Sequence, residues 1–128
     1  MEEKVPVWGE GLPKPQGPYC PAVAWGDMVF VSGMLAVKPD GSKVTGDVRE
    51  EALVVLRNLK AVLEEAGSSM EKVLSVTVYL SDLGNLSAFN EVYEEFFTAP
   101  YPARSVIGAG IPGGFSLEVS AVAYRGRG

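Results

Sequence analysis

An arginine and a carboxylate are the side chains best suited to chemistry in this chain. The sequence has 128 residues, no histidine and one cysteine, Cys20. Arg104 follows Pro102 at the start of an extended segment, and Glu118 lies on the next extended segment. A guanidinium binds a planar carboxylate through two parallel hydrogen bonds, which a lysine cannot do. We therefore predict that Arg104 binds a small organic acid and that Glu118 is its chemical partner.

The relation between Arg104 and Glu118 leaves two interpretations open. If the glycine-rich stretch 110–114 joins two neighbouring strands, the side chains lie on nearby rungs. They would then form either a ligand site or a structural or intersubunit salt bridge. Direct contact would keep Glu118 ionised and weaken it as an acid. A Glu118 free of that contact could exchange protons with water, which is typically worth about 10²–10⁴ in rate.

Other catalytic chemistries find little support. A nucleophilic Cys20 would need an activator, and histidine, the usual one, is absent. No cluster of histidine and cysteine predicts a metal site. The stretch 110–114 resembles a phosphate-binding loop only in its glycines, because no Lys-Ser/Thr pair or helix follows it.

Composition limits the class of protein. The length suits one domain over residues 1–128, and a hydrophobic fraction of 47% favours apolar surface buried between subunits. A net charge of −5 argues against a nucleic-acid partner, since such affinity depends on lysine and arginine. The basic tail 125–128 is interpreted as a frayed chain end rather than an RNA contact.

The expected location is the cytoplasm. No apolar run reaches the roughly 18 residues of a membrane span. The charged residues 1–4 precede no apolar signal segment, which argues against secretion. A single cysteine also suits a reducing compartment.

Turn and cap residues mark the elements that must position the two side chains. Residues 1–16 are rich in proline and glycine and predict an irregular lead-in. Ala22–Trp25 and 28–32 predict a hairpin, followed by an extended piece at 35–37. Asp47 caps a helix that Gly67 ends, and Asn85 or Ser87 caps a second helix before Pro100. The apolar stripes are Ala52, Val55, Leu56, Leu59, Val62, Leu63 and Ala66 in the first helix, and Leu86, Phe89, Val92, Tyr93, Phe96 and Phe97 in the second.

The remaining segments read as strands. In Val73–Leu80 an aliphatic face of Leu74, Val76, Val78 and Leu80 alternates with a more polar one. Segments 103–109 and 115–124 complete the order β-β-(β)-α-β-α-β-β. This order predicts an α+β fold in which the helices pack on the aliphatic face of a sheet. The opposite face is mixed in polarity, which favours an interface between subunits.

Short motifs follow one another in a specific order from about Gly17 to Tyr124. They are Gly-Pro-Tyr at 17–19, Val-Ser-Gly at 31–33, Asn-Leu at 58–59 with Ala-Gly at 66–67, Thr-Val-Tyr-Leu-Ser-Asp at 77–82, Phe-Asn at 89–90 with Tyr93 and Phe96, Pro-Ala-Arg-Ser at 102–105, and Pro112 followed by Leu-Glu-Val at 117–119. In this order the set resembles the Rid family, also called the YjgF or reactive intermediate deaminase family. The Pro-Ala-Arg-Ser motif is the most specific of them.

The resemblance implies a fold, an assembly and an activity. The fold would be chorismate-mutase-like α+β, a mixed β-sheet with two helices packed on one face. The assembly would be a homotrimer with ligand clefts between subunits. The activity would be cofactor-free hydrolysis of 2-imino and enamine acids, such as 2-aminoacrylate, 2-iminopropanoate and 2-iminobutanoate, to 2-keto acids and ammonia.

The resemblance also implies roles for individual residues. Arg104 would bind the substrate carboxylate and Glu118 would position or activate water. Substrate binding would further involve Tyr19 in the cleft wall, Ser32, backbone hydrogen bonds from Gly33, and Asn90. Cys20, Pro21 and Met34 differ from the residues that many members have at these positions, and the substrate range therefore stays open.

Two other functions remain open at this point. A non-catalytic trimer could use the same cleft to bind a keto acid or an amino acid. RNA cleavage has been attached to some members of the family, but the acidic charge and the absence of histidine count against it here.

Overall fold

One mixed sheet with two helices on one face makes up the computed structural model, which describes residues 3–126. Residues 1–2 of the predicted lead-in and 127–128 of the predicted tail lie outside this range. Within it, the elements are β1 Val5–Val7, β2 Ala22–Trp25, β3 Met28–Met34, α1 Val48–Glu65, β4 Val73–Leu80, α2 Leu86–Phe96, β5 Ala103–Gly108 and β6 Leu117–Tyr124. The strand order is β1-β2-β3-β6-β4-β5, with only β4 and β5 parallel. The predicted α+β fold is confirmed.

The first helix begins and ends where its cap residues predict. The Asp47 carboxylate accepts hydrogen bonds from the amides of Arg49 and Glu50, at 2.9 and 3.3 Å. At the other end Gly67 adopts a φ of 82°, which allows the Ser68 amide to reach the Leu63 carbonyl at 2.7 Å. Both helix ends are therefore specified locally.

The core lies between the helices and one face of the sheet. All seven residues of the predicted α1 stripe are buried. The predicted face of β4 is wrong at Leu74, which is 45% exposed, while Val73 is buried. A register shift between Val73 and Ser75 inserts one extra residue against β6 and reverses the alternation there.

Three other local predictions need correction. The lead-in is not wholly irregular, because Val5–Val7 pairs with β2 at the sheet edge, where Pro6 is tolerated. The piece at 35–37 forms only an isolated bridge from Val37 to Lys43. Asn85 makes no capping bond with its side chain. Instead a 3₁₀ turn precedes α2, and the Asp82 carboxylate caps it through the amide of Gly84 at 2.8 Å.

The prediction that β5 and β6 are neighbours is wrong. β5 pairs in parallel with β4, because the connection through α2 is a strand–helix–strand crossover. β6 lies on the other side of β4, between β3 and β4. Arg104 and Glu118 therefore do not lie on neighbouring rungs.

The C-terminal arginine of the described residues is anchored rather than frayed. The Arg125 guanidinium donates to the carbonyls of Gly26 and Ala66 at 3.0 and 3.3 Å, and its amide donates to the Asp27 carbonyl. No helix in residues 3–126 combines the length and hydropathy needed to cross a bilayer.

The sheet face that the helices leave uncovered carries large apolar side chains. Among them are Trp25, Phe30 and Ile107, each more than 40% exposed. Ser32, Thr77 and Ser120 lie between them and are only half-buried. The mixed polarity predicted for this face is therefore confirmed.

Candidate functional site

Arg104 and Glu118 lie on opposite faces of the sheet. Arg104 is level with Val76, which is fully buried beneath the helices, whereas Glu118 is level with Tyr79 on the uncovered face. From a strand spacing of about 4.8 Å and a rise of about 3.3 Å per residue, their Cα atoms are roughly 14 Å apart. The two residues therefore form no salt bridge within one chain.

Helix α2 holds the Arg104 guanidinium in a fixed orientation. Its Nη1 donates to Oδ1 of Asn90 at 2.8 Å, and its Cζ lies 4.8 Å from the centre of the Tyr93 ring. Asn90 and Tyr93 are three residues apart and so share one face of the helix. Because Arg104 is itself exposed, its remaining N–H groups are available to a ligand.

Tyr93 forms the support beneath that guanidinium. The ring is 5% exposed and stacks on Phe97 at 4.4 Å between ring centres. Burial raises the pKa of the Tyr93 hydroxyl, and the nearby positive charge of Arg104 opposes that shift with a smaller effect. A phenol that stays neutral keeps the ring as an uncharged platform for the cation.

A β-bulge brings Glu118 against Gly33. β3 advances three residues from Val31 to Met34 while β6 advances two, so one extra residue of β3 lies within the Ser32–Gly33 stretch. A Cβ atom on Gly33 would lie 2.9 Å from Cδ of Glu118 and closer still to Oε2. Glycine here leaves room for the carboxylate in its present position, and a larger residue would displace it.

A cleft of about 570 Å³ surrounds the Glu118 side chain. We refer to it as the Glu118 cleft. No hydrogen bond or ion pair links this carboxylate to another residue within the described part of the chain, so it is free to act on a ligand. The lining residues are Pro13, Lys14, Pro15, Gln16, Tyr19, Pro21, Ser32, Gly33, Met34, Leu35, Val37, Pro112 and Glu118.

Ser32 ties one wall of this cleft to the sheet. Its hydroxyl donates to the carbonyl of Cys20 at 2.6 Å, and its amide donates to the carbonyl of Pro21 at 3.0 Å. These bonds hold the segment that carries Tyr19, whose ring is 48% exposed. Of the three unusual residues, Pro21 and Met34 line the cleft, and Cys20 contributes its carbonyl to the anchor.

Two buried polar side chains of α1 support the cleft from behind. Asn58 donates to the carbonyl of Val37 at 2.7 Å, which fixes the segment after β3. Oε1 of Glu51 accepts from the amide of Ser116 at 2.7 Å, just before β6, while its Oε2 is buried without a described partner. Neither residue was predicted from the sequence as part of the site.

The structure divides the six predicted site residues into two groups. Tyr19, Ser32, Gly33 and Glu118 line one cleft, whereas Asn90 and Arg104 lie together on the helix-covered side of β5. Their roles stay predictions. Tyr93 was predicted only as core, although its spacing from Asn90 points to a shared surface. Within residues 3–126, no three His, Cys, Asp or Glu side chains group closely enough to hold a metal ion.

Known proteins match nearly the whole chain. A sequence model of the family described as Endoribonuclease L-PSP matches residues 10–125. A RutC family protein of Pyrococcus abyssi is 41% identical over 121 residues, which cover 93% of this chain and 95% of that protein. Escherichia coli TdcF, provisionally named a reactive intermediate deaminase, is 39% identical over 113 residues, covering 85% and 88% of the two chains.

The fold agrees with these sequence matches. The crystal structure of Escherichia coli TdcF with bound serine superposes with a TM-score of 0.90. The structural alignment covers 95% of this chain and 99% of that chain, at 35% identity. The resemblance read from the ordered motifs is confirmed, and the chain belongs to the Rid (YjgF) family.

Proposed function

We propose that this protein is a cofactor-free hydrolytic deaminase of reactive 2-imino and enamine acids. The substrates would include 2-aminoacrylate, its imine 2-iminopropanoate, and 2-iminobutanoate, and the products would be 2-keto acids and ammonia. One observation carries the proposal: the Glu118 carboxylate lies in a cleft with no ion pair or hydrogen bond to another described residue. A carboxylate in that position can move protons to and from a bound water.

The complete site would lie between subunits of a homotrimer. In one chain Arg104 and Glu118 are on opposite faces of the sheet, so they cannot hold one small acid together. The exposed apolar residues of the uncovered face support burial against another copy. In this arrangement Glu118 faces Arg104 of the partner subunit across the interface. Light scattering tests the assembly: three times the chain mass of 13.6 kDa supports it, and the mass of one chain contradicts it.

The chemistry follows from these positions. Arg104 would hold the substrate carboxylate through charge-assisted hydrogen bonds, which contribute about 1.5–3 kcal/mol each. The oxygen of a water molecule would bond to the imine carbon while Glu118 takes up a proton. Glu118 would then return that proton to nitrogen, which converts the C=N bond into a single bond and gives a carbinolamine. In a second transfer Glu118 would move the hydroxyl proton to nitrogen. The carbonyl then forms, the carbon–nitrogen bond breaks, and ammonia leaves a 2-keto acid. Most of the rate gain would come from holding the acid and the water together.

An assay with a free imine tests this function. An L-amino acid oxidase generates the imine, and semicarbazide competes with hydrolysis for it. An active enzyme therefore lowers the yield of semicarbazone. We expect this effect from the wild type and a loss of it from Arg104→Ala and Glu118→Gln. A wild-type rate equal to that of Arg104→Ala and of buffer alone would refute the proposal.

A second candidate is a non-catalytic trimer that binds a small carboxylate. The serine in the Escherichia coli TdcF structure favours it, since that ligand is itself an amino acid. This candidate predicts saturable binding of a keto acid or an amino acid in calorimetry, with no turnover in the imine assay. We expect no RNA cleavage, because the chain has a net charge of −5 and no histidine. Incubation of the protein with RNA at low salt tests this expectation, and intact RNA would support it.

Two further expectations complete the proposal. The single cysteine, Cys20, supports a reducing compartment such as the cytoplasm as the location. The chemistry needs no metal or cofactor, because an imine hydrolyses once it is held beside a water and a proton carrier.

A further inference from the structure

A second cleft adjoins the Glu118 cleft. It has a volume of about 610 Å³, and Trp8 lies in its wall, so we call it the Trp8 cleft. Five residues line both clefts: Pro13, Lys14, Pro15, Tyr19 and Pro21. The two clefts therefore lie side by side and share one wall.

The walls of the Trp8 cleft suit an apolar group. Trp8 and Tyr19 are 54% and 48% exposed, and large exposed aromatic side chains commonly mark binding surfaces. Leu12 and three prolines lie beside them. Two charges, on Glu10 and Lys14, have opposite signs and offset each other, so the cleft favours neither an anionic nor a cationic group.

The segment that forms these walls is held in place. The Leu12 amide donates to the Gly9 carbonyl at 3.2 Å, and the Leu12 side chain is 6% exposed. Gly9 packs tightly on the Glu65 side chain of α1, because a Cβ there would lie 2.9 Å from the Glu65 Cδ. The Ser32 hydrogen bonds fix the far end at Cys20 and Pro21. A wall ordered before binding loses little entropy when a ligand arrives.

We propose that the Trp8 cleft is the side-chain subsite of this enzyme. It makes 2-imino acids with large apolar side chains, such as those derived from leucine, methionine and phenylalanine, better substrates than 2-iminopropanoate. This inference rests on the proposed function, because the polar end of the substrate must lie at Ser32, Gly33 and Glu118. In this arrangement a methyl side chain would end inside the Glu118 cleft, whereas an isobutyl or benzyl group would extend past Tyr19 toward Trp8.

Turnover of four imines tests the inference. Oxidases supply the imines of alanine, leucine, phenylalanine and glutamate. We expect kcat/KM to be at least about tenfold higher for the leucine and phenylalanine imines than for the alanine imine. Equal values, or a preference for the alanine or glutamate imine, would overturn the subsite.

Variants of Trp8 locate the effect. Trp8→Ala should lower kcat/KM for the large imines about tenfold and change the alanine imine by less than about twofold, while Trp8→Phe should keep the preference. Val5→Ala is the matched control, since Val5 belongs to the same N-terminal segment, is 52% exposed and lines neither cleft. A preference that survives Trp8→Ala would place the selective contacts elsewhere and overturn the proposal.

Binding separates this inference from the proposed function. Calorimetry with pyruvate and with 4-methyl-2-oxopentanoate, the products of the alanine and leucine imines, requires no turnover. About tenfold tighter binding of the larger acid, lost in Trp8→Ala, supports the subsite even if no imine is hydrolysed. Equal binding overturns it even if every imine is hydrolysed.

Discussion

Arg104 and Glu118 project from opposite faces of one sheet, on strands separated by β4. The Arg104 side chain lies against α2, whereas the Glu118 side chain lies against Gly33 at the bulge of β3. Each side chain is oriented within its own chain, yet neither reaches the other. In the proposed function, a substrate that needs both would bind where two copies of the chain meet.

The planar geometry of Arg104 should matter more than its charge. Arg104→Lys keeps the charge but loses both the bidentate fork and the flat contact with Tyr93. We expect kcat/KM to fall about 10–100-fold, mainly through KM, as about 1.5–3 kcal/mol of binding is lost. Steady-state kinetics with one imine measure this.

An arginine on α1 that pairs with α2 provides the control for that substitution. Arg49 bonds Glu91 at 2.7 Å, and both side chains are more than half exposed. Arg49→Lys should leave kcat/KM within about twofold of the wild type. If kcat/KM of Arg104→Lys is also within about twofold of the wild type, a positive charge alone suffices. The proposed bidentate binding of the substrate carboxylate by Arg104 would then be wrong.

Replacing Gly33 should lower activity, because glycine leaves the space that the Glu118 carboxylate occupies. In Gly33→Ala the new methyl group overlaps the Glu118 carboxylate, which must then move. We expect kcat to fall by at least about tenfold, the scale of a displaced acid/base group, while the urea midpoint changes little because Gly33 is exposed.

Gly110→Ala is the matched variant, since a Cβ at Gly110 meets nothing within 4 Å. It should retain wild-type kinetics. Full activity in Gly33→Ala would show that catalysis does not depend on the position of the Glu118 carboxylate against Gly33.

The raised pKa of Tyr93 gives stability a dependence on alkaline pH. Below the ordinary value of 10.0 the phenol is neutral in both states. As the pH rises from 10.0 toward the higher pKa of the folded state, the phenol ionises in the unfolded chain but stays neutral in the folded one. This difference favours unfolding. The wild type should therefore lose stability relative to Tyr93→Phe above about pH 10. Urea unfolding of both proteins at about pH 8 and about pH 11 measures the difference. A constant difference would show that the Tyr93 hydroxyl is not held neutral by burial.

Glu51 should support the site through the oxygen that accepts from the Ser116 amide. Glu51→Leu removes the acceptor of the Ser116 amide and should cost about 1–3 kcal/mol of unfolding free energy. Glu51→Gln keeps an acceptor for the Ser116 amide, so its stability should lie within about 1 kcal/mol of the wild type. Urea unfolding compares the two variants. Equal losses in both would mean that an acceptor oxygen alone does not explain the role of Glu51.

Local signals made much of the fold predictable. The α1 helix follows from Asp47, Gly67 and a regular apolar stripe, all of which act within one element. The pairing of β5 with β4 could not be predicted from the order of strands in the sequence. It depends on the crossover through α2 and on the pairing of β6 with β3 and β4. β1 escaped prediction because three residues around Pro6 acquire strand geometry only by pairing with β2.

The candidate site was predictable in its residue types but not in its arrangement. Arg104 and Glu118 are the charged residues of β5 and β6, and both belong to the ordered motifs. The Tyr93 platform and the Glu51 anchor depend on which helix face meets which strand. Those contacts become visible only with the tertiary structure.

Mixing two inactive variants tests the central claim most directly. Arg104→Ala and Glu118→Gln are unfolded together and refolded at equal concentrations, so that random trimers form. If the site is shared between subunits, an interface is intact when the Glu118→Gln variant supplies Arg104 and the Arg104→Ala variant supplies Glu118. Random assembly makes about a quarter of the interfaces intact. The mixture should therefore show about a quarter of the wild-type rate of imine hydrolysis. Each variant refolded alone should stay inactive. A mixture as inactive as its parents, with mixed trimers demonstrated by mass spectrometry, would contradict the shared site.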